Sequence, residues 1–141
     1  MTRPAHLDPR LVGVVALGGA VGTAARWGMT HWLGSAPGGW PTATFVENLL
    51  GSFLLGLLLE ALLRRGSESR RGQLVRLGAG TGVLGGFTTF SALALEIERL
   101  LAADQVLLGA LYGVLSVVLG LLACLAGVAL ASQHHRRREA R

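Results

Sequence analysis

Four long apolar segments fill most of this 141-residue chain and decide what it can fold into. A helix that crosses a membrane needs about 20 consecutive apolar residues, so four crossings and their loops leave no room for a soluble domain. We therefore predict an all-α membrane protein that forms one domain over residues 1–141. The predicted spans cover about 11–33, 42–63, 74–101 and 106–131, and a basic tail follows at 132–141.

Charged residues make up only 15% of the chain and lie mainly between the apolar segments. The net charge of +5 does not indicate nucleic-acid binding, because such proteins spread basic residues over a water-exposed face. Cys124, the single cysteine of the sequence, lies in the last apolar segment and has no second cysteine for an internal disulfide. Composition thus favours a membrane protein that does not bind nucleic acid.

The arginines are distributed unevenly between the two ends of the spans. With four spans, both termini and the loop between the second and third spans share one side of the membrane. That side holds eleven of the 13 basic residues, all of them arginine, whereas the other side holds Arg26 and Arg99. By the positive-inside rule, this excess predicts a multi-pass protein of the cell membrane with both termini in the cytoplasm.

Residues 85–91, in the middle of the third span, read Gly-Gly-Phe-Thr-Thr-Phe-Ser. Irregular backbone at such depth survives only where protein buries it or where it lines a polar path. Discontinuous membrane helices are also a common way to offer backbone groups to an ion. We therefore predict a third helix that is broken mid-membrane near residues 85–88, in a protein that handles ions.

Motifs of other functional classes are incomplete. Residues 80–85 match G-x-G-x-x-G, but no strand precedes them, so these glycines are interpreted as helix-packing positions. His134 and His135 lie in an arginine-rich tail without a cluster of acidic or cysteine ligands, and no metal is expected there. The sequence contains no legible Ser-His-Asp grouping or pocket carboxylate pair, so we expect no enzyme activity.

Several side chains in the spans have two possible roles. The amide of Asn48 must be hydrogen-bonded at its depth, and it either clamps a neighbouring helix or offers its NH₂ group to an anion. Tyr112 and Ser116 share a helix face, which forms a polar track if it lies opposite the break, although a serine can also bond to its own helix. Phe87 and Phe90 are either plain lipid-facing or core residues, or rings that, turned edge-on, favour a small anion with their positive edge.

Taken together, the motifs resemble the CrcB, or Fluc, family of fluoride channels across all four spans. The string from Gly85 to Ser91 is highly specific. The resemblance implies a passive channel through which fluoride trapped in the cytoplasm leaves the cell. The matching residues are Gly18-Gly19-x-x-Gly22-x-x-x-Arg26, Thr44-x-x-x-Asn48-x-x-Gly51-Ser52-Phe53, Gly82-x-x-Gly85-Gly86-Phe87-Thr88-Thr89-Phe90-Ser91, Glu96, Tyr112 and Ser116.

The resemblance also implies an assembly and a set of site residues. It implies two subunits packed antiparallel, with two fluoride pores and a structural sodium ion at the subunit interface. The backbone carbonyls of Gly85 and Thr88 would hold the sodium ion, and Arg26 takes the basic position near the vestibule. The positions along the fluoride path are Asn48, Thr89, Phe90, Ser91, Leu93, Tyr112 and Ser116.

Three residues depart from the family pattern. Leu93 stands where a second pore phenylalanine is expected, and an aliphatic side chain has no positive ring edge to offer. Gly120 stands where a further hydroxyl is often found, which shortens the polar track. Glu47, beside Asn48, would repel fluoride from an anion vestibule unless its carboxylate faces away or pairs with an arginine.

The arginine excess also bears on how the subunits pair. A chain that inserts both ways up should show little bias, so we expect this one to insert one way and to pair with a separate, oppositely oriented family member, as an alternative to a homodimer. Two other functions stay open. A proton-coupled exporter of the small multidrug type needs an acidic residue deep in a span, and a non-conducting partner subunit of a fluoride channel needs no pore of its own.

Overall fold

The computed structural model describes residues 8–34, 39–67 and 69–139, with side chains as far as residue 136. Every regular element in these ranges is helical, and four stretches are long and apolar enough to cross a membrane, which confirms the predicted fold class. The elements are α1 (Pro9–Leu33), α2 (Thr42–Leu63), α3 (Arg70–Val75), a π-helical segment (Arg76–Leu84), α4 (Gly85–Phe87), α5 (Phe90–Ala102) and α6 (Val106–Glu139).

Two helices extend beyond the spans expected from hydropathy. The third span begins at Arg70 rather than at residue 74, because the Ser69 side chain accepts a hydrogen bond from the N–H of Gly72 at 3.1 Å and caps α3. The last helix continues to Glu139 rather than ending at 131. No glycine or proline interrupts residues 128–139, and arginine is a good helix former. The basic tail is therefore helical as far as residue 139.

Glycines let the helix backbones approach closely. A Cβ atom placed on Gly22 of α1 would collide with the carbonyl oxygen of Val83, and one on Gly127 of α6 would collide with that of Phe53. A Cβ atom on Gly82, within the G-x-G-x-x-G string, would lie 2.9 Å from the α1 backbone. Small residues at such crossings maximise van der Waals packing, which drives helix association in membranes.

The helical backbone of the third span is interrupted between α4 and α5. Thr88 and Thr89 have extended backbone dihedrals, with φ/ψ of −82°/154° and −150°/117°. The Thr88 hydroxyl donates to the carbonyl of Leu84 at 2.9 Å, and the Thr89 hydroxyl accepts from the N–H of Ala92 at 3.1 Å. The interruption is compatible with the predicted break, but it lies at the two threonines, whereas Gly85–Phe87 remain helical.

Candidate functional site

Asn48 of α2 holds the interrupted backbone from one side. Its Oδ1 atom accepts a hydrogen bond from the N–H of Thr89 at 2.8 Å, and its Nδ2 atom donates to the carbonyl of the same residue at 3.1 Å. The interhelical clamp, one of the two roles left open for Asn48, is thus present in the geometry. An amide nitrogen carries two hydrogens, so this clamp leaves the second one available for an anion.

Arg26 of α1 holds the backbone just before the interruption. Its Nε atom donates to the carbonyl oxygen of Gly86 at 3.2 Å, and the residue is half-buried. The family resemblance implies a vestibule position for this arginine, and the structure places its guanidinium at the backbone just before the break. Side chains from two different helices therefore fix the position of the interruption.

Two carbonyl oxygens at the interruption lose the donors that a continuous helix would give them. The N–H of Thr89 is the regular helical partner of the Gly85 carbonyl, and it donates to Asn48. The N–H of Ala92 is the regular partner of the Thr88 carbonyl, and it donates to the Thr89 side chain. The two oxygens are therefore suited to accept a cation or another donor.

An open groove of about 310 Å³ lies beside the interruption. It brings together most of the residues that the sequence places along the fluoride path. Phe90 is 79% exposed at the groove, whereas Leu93 is buried. The expected path and sodium residues that line it are Asn48, Gly85, Thr88, Thr89, Phe90, Leu93 and Ser116.

Ser116 has a buried hydroxyl at this groove. Its Oγ atom finds no hydrogen-bond partner within the described ranges, so the bond to its own helix that the sequence left possible is not made. Leaving such a group unpaired costs about 1–3 kcal/mol. The hydroxyl is therefore a candidate contact for a polar occupant of the groove. Ser91 is exposed, and its Oγ atom lies 3.1 Å from the Thr89 hydroxyl.

Tyr112 lies outside the groove in this structure. It is fully buried, and its hydroxyl donates to Oε2 of Glu96 at 2.5 Å. Thr44 donates to the other oxygen of Glu96 at 2.6 Å. Tyr112 therefore belongs to a network that joins α2, α5 and α6. The sequence predicts no role for Thr44 and Glu96, although both are among the positions that match the family, which is the signal that could have identified them.

Glu47 is also kept away from the groove. Its side chain is 1% exposed and is not among the residues that line the groove. The Thr30 hydroxyl donates to Oε1 of Glu47 at 2.8 Å. The carboxylate of Glu47 therefore faces away from the groove, which is one of the two conditions under which it would not repel an anion. Sequence reasoning had given no role to Thr30.

The chain matches known proteins over most of its length. Residues 13–128 match the family described as CrcB-like protein, Camphor Resistance (CrcB). The chain is 46% identical over 135 residues to the Fluoride-specific ion channel FluC 2 of Leifsonia xyli subsp. xyli, which covers 92% of this chain and 88% of the relative. Identity to FluC 1 of Cutibacterium acnes is 44% over 132 residues (92% and 91% covered). Identity to FluC of Thermus thermophilus is 44% over 118 residues (83% and 90%).

Proposed function

Because this chain belongs to the CrcB family, we propose that it is a fluoride-selective channel that exports cytoplasmic fluoride passively and so lowers its toxicity. The observation that carries this proposal is the 44–46% identity to relatives named as fluoride-specific ion channels, over most of the chain. Hydrogen fluoride crosses membranes uncharged and ionises in the neutral cytoplasm, and the negative-inside potential drives the trapped anion out. A channel needs no catalytic group, and the chain is not an enzyme.

The groove beside the interrupted helix is the proposed part of the fluoride path in this chain. Ser116 and Asn48 offer hydroxyl and amide donors, and the exposed ring of Phe90 offers its positive edge. Selectivity of this kind arises when contacts along a narrow path replace the water that the ion loses. Leu93 supplies no such contact, which would make this part of the path weaker than in relatives with phenylalanine there.

A structural sodium ion at the interruption is the proposed cofactor. The carbonyls of Gly85 and Thr88 fit this role, because the N–H groups that would pair with them in a helix donate to side chains. Carbonyl oxygens of unwound helices are common sodium ligands, and the ion would supply positive charge at the subunit interface. Replacing sodium by N-methylglucamine during purification is expected to lower both the dimer content and the fluoride efflux. An unchanged dimer content would contradict the proposed sodium site.

The protein spans the membrane several times, and we propose that it works as a pair of antiparallel subunits in the cell membrane. One chain leaves Phe90 79% exposed beside the groove, and a second subunit with surrounding lipid would cover that face. The arginine excess favours termini in the cytoplasm and a separate, oppositely oriented partner over a homodimer. The distribution of arginines therefore supports both the cytoplasmic position of the termini and the pairing with a separate partner.

The test is fluoride efflux from liposomes that contain this chain alone, measured with a fluoride electrode. We expect efflux only after valinomycin provides a potassium path, because uniport of an anion carries charge, and we expect no comparable chloride efflux. Flux that needs a proton gradient would support the exporter, which the comparisons do not favour. Efflux that appears only with a second family member would show that this chain needs the separate partner. A second member whose efflux is the same without this chain would support the alternative of a non-conducting subunit.

A further inference from the structure

A second cavity of about 600 Å³ lies at the end of the bundle where α2 ends and the third span begins. It shares no lining residue with the groove beside the interruption. One part of its wall is basic, and the other part is apolar. The residues that form these two parts include Leu59, Leu63, Arg65, Arg71, Val75 and Arg76.

The basic part of this cavity is formed by arginine side chains. Arg65 and Arg71 are exposed, and Arg76 is half-buried. Glu60 also lines the cavity, but Arg64 holds its carboxylate at 2.5 Å and is not itself a lining residue. The Ser132 hydroxyl donates to the same oxygen of Glu60 at 2.7 Å. The carboxylate of Glu60 is therefore already paired and does not neutralise Arg65 or Arg71.

The apolar part of the cavity would face the hydrocarbon of a membrane. Leu63 is 74% exposed, and Leu59 and Val75 are also exposed. These residues lie in the last turns of α2 and at the end of α3, the ends of two spans. Arginines directly beside exposed aliphatic side chains at this level match a phospholipid, in which phosphate and acyl chains are joined at the membrane surface.

We propose that this cavity binds an anionic phospholipid. The guanidinium groups of Arg65 and Arg71 contact the phosphate, and the first acyl carbons lie on Leu63 and Val75. Guanidinium groups match phosphate oxygens with two parallel hydrogen bonds. Basic cavities between membrane helices are the usual sites for such head groups. The proposal concerns lipid alone and stands whether or not the chain conducts fluoride.

The experiment uses the delipidated full-length chain and measures lipid binding by native mass spectrometry. Phosphatidylglycerol is titrated into wild type, an Arg65→Gln/Arg71→Gln variant, an Arg65→Lys/Arg71→Lys variant and an Arg99→Gln control, whose change lies at the other end of the bundle. We expect the glutamine variant to bind phosphatidylglycerol about 25-fold more weakly, the loss expected for two surface arginines. The lysine variant and the control should stay within about fivefold of wild type.

Three results would overturn the proposal. The first is equal binding of phosphatidylglycerol and zwitterionic phosphatidylcholine by wild type. The second is full retention of phosphatidylglycerol binding by the glutamine variant, with circular dichroism showing the same helix content as wild type. The third is displacement of phosphatidylglycerol by millimolar inorganic phosphate, because that would identify a site for the free anion rather than for lipid.

Discussion

Asn48 and Thr89 lie on different helices and are joined by two hydrogen bonds, one in each direction, between the amide side chain and the backbone. The pair takes the N–H of Thr89 away from the helix to which it would otherwise belong. The third span can therefore stop and restart at this depth without leaving that amide unpaired. The clamp and the candidate path are thus built from the same residue.

Changing Asn48 to Asp should disable the channel. The aspartate keeps the acceptor for the Thr89 N–H but sets a carboxylate oxygen against the Thr89 carbonyl, so one hydrogen bond becomes a repulsion. We expect at least a tenfold loss of fluoride efflux, about 1.4 kcal/mol, which is a modest cost for an unpaired buried group. Gln73→Glu makes the same chemical change away from the groove and should leave efflux unaltered. Similar rates for both variants would count against the clamp.

Gly22→Ala should destabilise the bundle, because the added methyl group collides with the carbonyl oxygen of Val83. Overpacking of this kind typically costs about 1–3 kcal/mol. Gly13→Ala is the matched control, since it lies on the same helix and has no atom within 4 Å of the added carbon. Unfolding in detergent, followed by circular dichroism, measures both. Equal stability of the two variants would show that the helices can separate slightly at Gly22 without cost.

Thr30→Val should lower stability through Glu47. The change keeps the shape of the side chain but removes the donor to Oε1 of Glu47, which leaves a buried carboxylate short of one hydrogen bond. We expect a loss of about 1–3 kcal/mol in the free energy of unfolding. Thr23→Val on the same helix, at an exposed position, should change little.

The dependence of this effect on Glu47 is tested in a double-mutant cycle. In a Glu47→Gln background the charge is gone, and Thr30→Val should cost less than in wild type. If the cost is the same in both backgrounds, the threonine acts through packing rather than through the carboxylate.

Leu93→Phe should raise fluoride efflux if the groove belongs to the path. The substitution adds a ring edge beside Phe90, and interactions of aromatic edges are worth about 0.5–1.5 kcal/mol, so we expect an increase of about threefold or more. Leu93→Met conserves volume without a ring and serves as the control. An equal response of the two variants would exclude the ring edge as the cause.

A single orientation in the membrane should be visible by cysteine labelling of intact cells. In a Cys124→Ser background, Ser67→Cys should react with an impermeant maleimide only after permeabilisation, whereas Ala103→Cys should react from outside. Both positions lie in turns at opposite ends of spans. Labelling of both from outside to the same extent would mean insertion in two orientations, and the expectation of a separate partner would then be wrong.

The spans could be predicted from the sequence because hydrocarbon demands long apolar segments, whatever the packing inside the bundle. The region of the interruption could be predicted too, since glycines and hydroxyls at 85–91 are unusual at that depth. Its location at Thr88 and Thr89 could not, because it depends on Asn48, which is 41 positions away in the chain. The π-helical segment gave no recognisable signal in the sequence.

The place of Tyr112 shows a second limit. A spacing of four residues shows that Tyr112 and Ser116 share a helix face, but it does not show how the helix is rotated against its neighbours. The rotation is set by contacts with Trp40, whose ring centroid lies 5.2 Å from that of Tyr112, and with Glu96. As a result Ser116 lines the groove, whereas Tyr112 lies in the interior.

The length of α6 carries one end of the helix beyond the hydrocarbon layer of the membrane. Its 34 residues extend about 50 Å, whereas the hydrocarbon layer is about 30 Å thick. Roughly 20 Å of continuous helix therefore projects past the hydrocarbon and carries the basic end with it. A fluorophore attached at Gln133 would consequently turn with the whole subunit, so its polarisation would report tilting of the bundle.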